Sequence, residues 1–135
     1  MKEFKLIVAG GRDYMDYEHL SRVLFAMADN EFADIKVSIV SGMAKGADAL
    51  GVRFAREYGI KLYEFPADWN THGKSAGFRR NQEMARFADG LLAFWDEASR
   101  GTAHMIDCMR FTKKPVHVVR YRAEEDTTST PNQGL

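Results

Sequence analysis

FKLIVAGGRD, residues Phe4 to Asp13, carries the clearest fold signal in the chain. Phe4 to Ala9 is an almost unbroken apolar run, and the pair Gly10-Gly11 stops it. A strand that is apolar on both faces belongs inside a parallel sheet with helices above and below. Beyond the glycines, Leu20, Val23, Leu24 and Met27 recur at helical spacing. The same alternation repeats outward along the chain. Lys36–Val40 reads as a strand closed by Ser41-Gly42, and Ala47–Tyr58 as a helix with Gly59 in the C-cap position. Lys61–Phe65 is a third strand, ended by Pro66, and a helix is expected over Arg79–Phe87. Gly90–Trp95 is a fourth strand, Thr102–Phe111 a helix and Pro115–Val119 a fifth strand. Strand and helix alternating in this way imply parallel strands joined by right-handed crossovers. The expected architecture is α/β: a single Rossmann-like three-layer domain with a five-stranded, mainly parallel sheet. That domain is expected to span residues 1–122. Residues 123–135 are polar and turn-rich and are expected to form a disordered or loosely held tail.

The composition narrows the function classes. A chain of 135 residues with 45% apolar and 28% charged residues suits one globular domain. Nineteen basic residues balance nineteen acidic ones. Coating nucleic acid normally takes a strong basic excess, so nucleic acid is a disfavoured partner, although a local basic pocket is compatible with neutrality. The single cysteine, Cys108, excludes an intrachain disulfide and a cysteine-based zinc site. It sits in an apolar helical pattern and reads as core rather than nucleophile. No His, Cys or acid pair near His72 has metal-ligand spacing, so no metal is expected. The N-terminal apolar run is too short for a signal peptide, and no run reaches membrane-spanning length. The expected compartment is the cytoplasm, with no membrane partner.

Four loops follow predicted strands, and each carries chemistry. In Gly10-Gly11-Arg12-Asp13, the glycines permit close backbone approach to a ligand and Arg12 offers a bidentate contact to phosphate or carboxylate. The alternative is a plain turn with a solvated arginine. The dinucleotide pattern G-x-G-x-x-G is incomplete, which argues against an NAD site. The second loop, Ser41-Gly42-Met43-Ala44-Lys45-Gly46-Ala47-Asp48, opens a helix whose free N–H groups favour an anion. It lacks the terminal G-K-[ST] of a P-loop, and Asp48 reads equally well as a first-turn acid. The third is the long polar segment Phe65 to Met84, FPADWNTHGKSAGFRRNQEM. Trp69 suits base stacking or a cap on the core. Arg79 and Arg80 are neighbours, so on a helix they diverge by about 100° and at most one faces the same target as Lys74 or Asn81. The fourth loop, Asp96 to His104, places Ser99 and Thr102 hydroxyls around Arg100 and Gly101, which suits an N-cap and a phosphate cradle alike. Asp13, Asp48, Asp68, Glu83 and Asp96 are candidate acids for proton transfer.

Taken together, VAGGRDY (Val8–Tyr14), SGMAKGADALG (Ser41–Gly51), PADWNTHGKSAGFRRNQEM (Pro66–Met84) and FWDEASRGTAHMI (Phe94–Ile106) resemble the YspA, cpYpsA-related branch of the SLOG superfamily. The resemblance runs from Lys5 to Val119. It implies a Rossmann-like domain that binds nucleotides or nucleotide-derived molecules. It also brings in relatives of different class. Lonely Guy enzymes hydrolyse the base–ribose bond of nucleoside monophosphates, and DNA-processing protein A binds single-stranded DNA. The Lonely Guy motif P-G-G-x-G-T-x-x-E carries a catalytic Glu, and an Arg comes from the preceding helix. Here Gly101-Thr102 match the G-T, Arg79 or Arg80 matches the Arg, and Met105 stands in place of the Glu.

The leading expectation is therefore a nucleotide or nucleotide-derived ligand at the carboxyl edge of the sheet. Gly42 to Gly46 and Ser99 to Thr102 would cradle phosphate, Arg12 with Arg79 or Arg80 would neutralise it, and Trp69 and Asn81 would meet base or ribose. Gly10, Gly11, Ser41, Lys45, Asp48 and Arg100 complete the expected binding set. The alternative is an N-glycosidase or ribosyl transferase in which Asp68 or Glu83, with Arg80, carries the chemistry. Single-stranded DNA binding ranks below both. A homo-oligomer is expected, because small Rossmann-like domains often pair through outer helices.

Overall fold

The computed structural model describes residues 2–122; the expected tail at 123–135 lies outside the described residues. Strand β1 (Glu3–Gly10) runs down the middle of a five-stranded sheet in the order β3-β2-β1-β4-β5. The other strands are β2 (Lys36–Ser41), β3 (Leu62–Glu64), β4 (Gly90–Trp95) and β5 (Val116–Arg120). Every pairing is parallel. The apolar run that marked β1 has the expected consequence. Leu6 and Val8 pack on one face with Leu20, Leu24 and Phe54, while Ile7 and Ala9 pack on the other with Met84, Met105 and Met109. Helices α1 (Tyr17–Asn30) and α2 (Ala47–Glu57) supply the first layer. Two later helices, α4 (Ala76–Phe87) and α5 (Arg100–Phe111), supply the second. Gly59 has φ +64° just after α2, as expected of a residue that ends a helix in the left-handed region.

The third loop is more ordered than its sequence pattern suggests. Trp69–His72 forms a one-turn helix, α3, and Gly73–Ser75 a 3-10 turn that leads directly into α4. Asp68 caps α3 by accepting the Thr71 N–H at 3.2 Å. Helix α4 thus begins at Ala76 rather than Arg79, and α5 at Arg100 rather than Thr102. Both early turns lack apolar periodicity because they present Gly77, Phe78 and Gly101 to a cavity and Arg79 and Arg100 to solvent.

Strand order reverses between β1 and β4. The chain moves from β1 out to β3 on one side, then crosses to β4 and β5 on the other. The loops after β1 and β4 therefore diverge and open a crevice at the carboxyl edge, where ligands bind in sheets of this kind.

Candidate functional site

A cavity of about 470 Å³ occupies that crevice. All four chemically loaded loops reach it. Gly10 comes from the end of β1, Gly11, Arg12 and Asp13 from the loop after it, Ala44 from the loop after β2 and Asp48 from the first turn of α2. The α3–α4 segment gives Trp69, Lys74, Gly77, Phe78, Arg80, Asn81 and Met84; the loop after β4 gives Asp96 and Ser99, and α5 gives Gly101, Thr102 and Met105. Close backbone packing holds the first two loops together. Gly46 has φ +78°, and a Cβ there would lie 2.6 Å from the Arg12 carbonyl carbon. Only glycine fits, and Ala47 N–H can then donate to Gly11 O at 3.2 Å.

Of the two neighbouring arginines, Arg80 turns inward. Its guanidinium donates to Gly42 O, to Phe65 O at 3.2 Å and to Asn81 Oδ1 at 3.1 Å. Those bonds join the ends of β2 and β3 to α4. Burial lowers the Arg80 pKa from its usual value, and the Asp48 carboxylate opposes that shift. Arg79 lies on the exposed face of α4, with its Nε donating to Ser75 Oγ at 3.1 Å. Asn81 is buried and bridges helices: its Nδ2 donates to Gly101 O at 3.3 Å and lies 3.2 Å from His104 Nδ1.

The two expected phosphate cradles differ. On the α2 side the N–H groups are partly spent. Met43 N–H donates to Ser41 Oγ at 3.0 Å and Ala44 N–H to Asp48 Oδ2 at 3.3 Å. The loop already holds an anion of its own, and the expectation that Gly42 to Gly46 present free donors is corrected to that extent. Asp48 is only 5% exposed, and burial pushes its pKa up to about 6, with the Ala44 amide, then Arg80, pulling the other way. On the α5 side, Ser99 caps the helix. Its Oγ accepts the Thr102 N–H at 3.4 Å and sits 3.0 Å from Thr102 Oγ1. Both residues line the cavity, and the space over Gly101 is open.

Several sequence-selected residues stand outside the cavity lining. Ser41 is buried beneath the loop, and Lys45 and Arg100 are exposed beside it. Asp68 and Glu83, the expected catalytic acids, are both exposed and do not line it. The Thr71 hydrogen bonds hold the Asp68 carboxyl below its usual range, as suits a cap and not a proton donor. The carboxylates that do line the cavity are Asp13, Asp48 and Asp96. Asp13 accepts the Tyr121 hydroxyl at 2.6 Å, and Asp96 accepts the N–H groups of Ala98 and Ser99. Phe78, half exposed and stacked on His104 at 4.1 Å, adds an aromatic face that the sequence reading passed over. Starting α4 at Ala76 would have revealed it, because Gly77, Asn81 and Met84 then share one stripe with Phe78 beside it. Among the described residues, no group of three or more His, Cys, Asp or Glu is placed to hold a metal ion.

Comparison with known proteins agrees with the fold. The solved structure of DNA processing protein A from Helicobacter pylori, determined for its single-stranded DNA binding mode, aligns with a TM-score of 0.58. The alignment covers 97% of this chain and 73% of that one at 18% identity, a likeness of fold. Gene 61 protein of Mycobacterium phage D29 is 37% identical over 117 residues, which is 82% of this chain and 89% of that protein. The family model described as YspA, cpYpsA-related SLOG family matches residues 4–72, from β1 through α3. The chain belongs to the YspA, cpYpsA-related SLOG family.

Proposed function

We propose that the protein binds a nucleotide or nucleotide-derived small molecule in the crevice between β1 and β4, as a sensor or a sequestering protein. One observation carries this reading. The cavity combines cations that have no ion-pair partner among the described residues, Arg12 and Lys74, with two half-exposed aromatic faces, Trp69 at 51% and Phe78 at 48%. Free cations suit phosphate and exposed aromatic faces suit a base. A volume of about 470 Å³ lies within the usual range for small-molecule pockets. The Ser99 and Thr102 hydroxyls, with the first turn of α5, favour phosphate at that end of the cavity. Trp69 and Phe78, from the α3–α4 segment, favour the base. Calorimetric titration with nucleoside mono- and diphosphates, cyclic nucleotides and ADP-ribose tests the reading. Saturable binding that Arg12→Ala weakens supports it, and no binding up to millimolar ligand refutes it.

A second reading, N-glycosidic hydrolysis of a nucleoside monophosphate, draws on the three carboxylates that line the cavity. It moves the candidate acids from Asp68 and Glu83 to Asp13, Asp48 and Asp96. Base release from a nucleoside monophosphate, lost in Asp96→Asn, would establish it. Binding of single-stranded DNA, the property of the Helicobacter pylori protein, is a third reading. It predicts a gel shift that weakens steeply with salt, whereas the balanced charge of this chain favours a small ligand.

A further inference from the structure

The loop after β2 has the form of an anion site, but it is already filled by its own side chain. Asp48 Oδ2 accepts the Ala44 N–H, and the Gly10 amide also favours its charged form. The carboxylate is almost fully buried, yet it forms part of the cavity lining. The charged groups facing it are Arg80 from α4 and Arg12 from the loop after β1. Strands β1 and β2, packed beneath, offer only backbone and the Ser41 hydroxyl, which donates to the Asp48 carbonyl at 3.4 Å. The other charged residues that line the cavity are Lys74, Asp13 and Asp96, and the recorded bonds of the two acids go elsewhere, to Tyr121 and to the Ala98 and Ser99 amides.

We propose that this arrangement makes the pocket a proton-linked anion site, in which an anionic ligand is bound together with one proton taken from solvent by the Asp48 carboxylate. The inference rests on the nucleotide reading and specifies how that site works. Arg80 spends its Nε on Asn81 and its Nη1 on the Gly42 and Phe65 carbonyls, whereas Arg12, the other cation facing Asp48, is exposed, lines the cavity and has no ion-pair partner among the described residues. An arriving phosphate engages Arg12 and adds a negative charge beside Asp48. Both changes favour the neutral carboxyl. Burial has already moved the group to a pKa of about 6, so protonation near neutrality is a short step. The neutral carboxyl keeps one oxygen for the Ala44 N–H and gains an O–H that can donate to a phosphate oxygen. Asp48 thus holds the loop through the Ala44 N–H before the ligand arrives and yields its charge when the ligand enters.

ADP-ribose is the main probe, because neither of its phosphates titrates near neutrality; AMP is the second. Calorimetry of the wild-type protein at pH 7, in buffers of different ionisation enthalpy, should show uptake of about half a proton or more per ligand. Affinity should fall by up to about tenfold per pH unit as pH rises above 6. Asp48→Asn should remove both effects, leaving whatever affinity it has independent of pH between about 6 and 8. A measurement that needs no variant is carbon-detected NMR of the Asp48 carboxyl, whose titration midpoint should rise on saturation with ligand. Binding with no proton uptake and no movement of that midpoint overturns this inference and leaves the nucleotide reading standing. Equal proton uptake in wild type and Asp48→Asn also overturns it. Failure of both probes to bind overturns the nucleotide reading and this inference with it.

Discussion

Arg79 and Arg80 are adjacent in the chain and identical in chemistry, so replacing each by alanine isolates what position alone contributes. Arg80→Ala removes donors to Gly42 O, Phe65 O and Asn81 Oδ1, and takes away the cation beside the buried Asp48 carboxylate. A hydrogen bond from a charged donor contributes about 1.5–3 kcal/mol, and the contributions of three bonds from one group are not additive. Arg80 is only partly buried, which lowers the sum, while leaving Asp48 without its partner raises it. The expected loss is about 3 kcal/mol, a large share of the roughly 5–15 kcal/mol typical of a domain. For a domain of this size that corresponds to a fall in Tm of about 12 °C. Arg79→Ala removes one exposed contact to Ser75 and should change stability by no more than about 0.5 kcal/mol. Urea unfolding followed by circular dichroism measures both variants. The double variant Arg80→Ala/Asp48→Asn should recover part of the loss, because the stranded charge is gone. Equal effects of the two single alanine variants, or no recovery in the double variant, would refute the assignment of Arg80 as the internal tie.

Other outcomes follow from single positions. A Cβ on Gly10 would run into the Phe94 carbonyl and come within 2.8 Å of Ala47 Cβ, so Gly10→Ala should lower the urea midpoint sharply, while Gly101→Ala, with nothing within 4 Å, should leave it unchanged or raise it. Ser99→Ala removes the α5 N-cap and should cost about 1 kcal/mol in the same assay. Because the Asp48 pKa is raised in the folded protein, the fold binds more protons than the unfolded chain between pH 4 and 6. The contribution of Asp48 to stability is therefore most favourable below that window and declines by about 3 kcal/mol as pH rises through it. Asp48→Asn should flatten that part of the profile, measured as unfolding free energy against pH.

The apolar runs made the sheet legible, because a strand buried on both faces has little choice of residues. Phe4 to Ala9 and Gly90 to Trp95 show this most plainly, and both proved to be central strands. The glycine pair after β1 and the Ser99 cap were legible for a similar reason, since few residue types meet those backbone demands. The segment from Pro66 to Phe78 was not. Most of its side chains face solvent or the cavity and not the core, so no apolar period marks its helices, and Asp68 resembled a catalytic acid when it is a cap. The roles of Arg79 and Arg80 were also hidden, since divergence on a helix shows that they differ but not which one turns inward. Asp48 was ambiguous because a first-turn acid and a buried acid on an anion loop have the same sequence signature. Only its burial and the Ala44 bond distinguish them.

The central claim is a nucleotide site between the loops after β1 and β4, and Arg12 tests it best. Arg12 is exposed, has no ion-pair partner among the described residues and ties no element to another, so its loss should spare the fold. Titration of wild type and Arg12→Ala with AMP and ADP-ribose at fixed salt is the direct measurement. Saturable binding to the wild type is expected, with a loss of about 10- to 100-fold in the variant, the equivalent of one charge-assisted phosphate contact. Unchanged affinity in Arg12→Ala, or no binding of either ligand to the wild type at millimolar concentration, would contradict it.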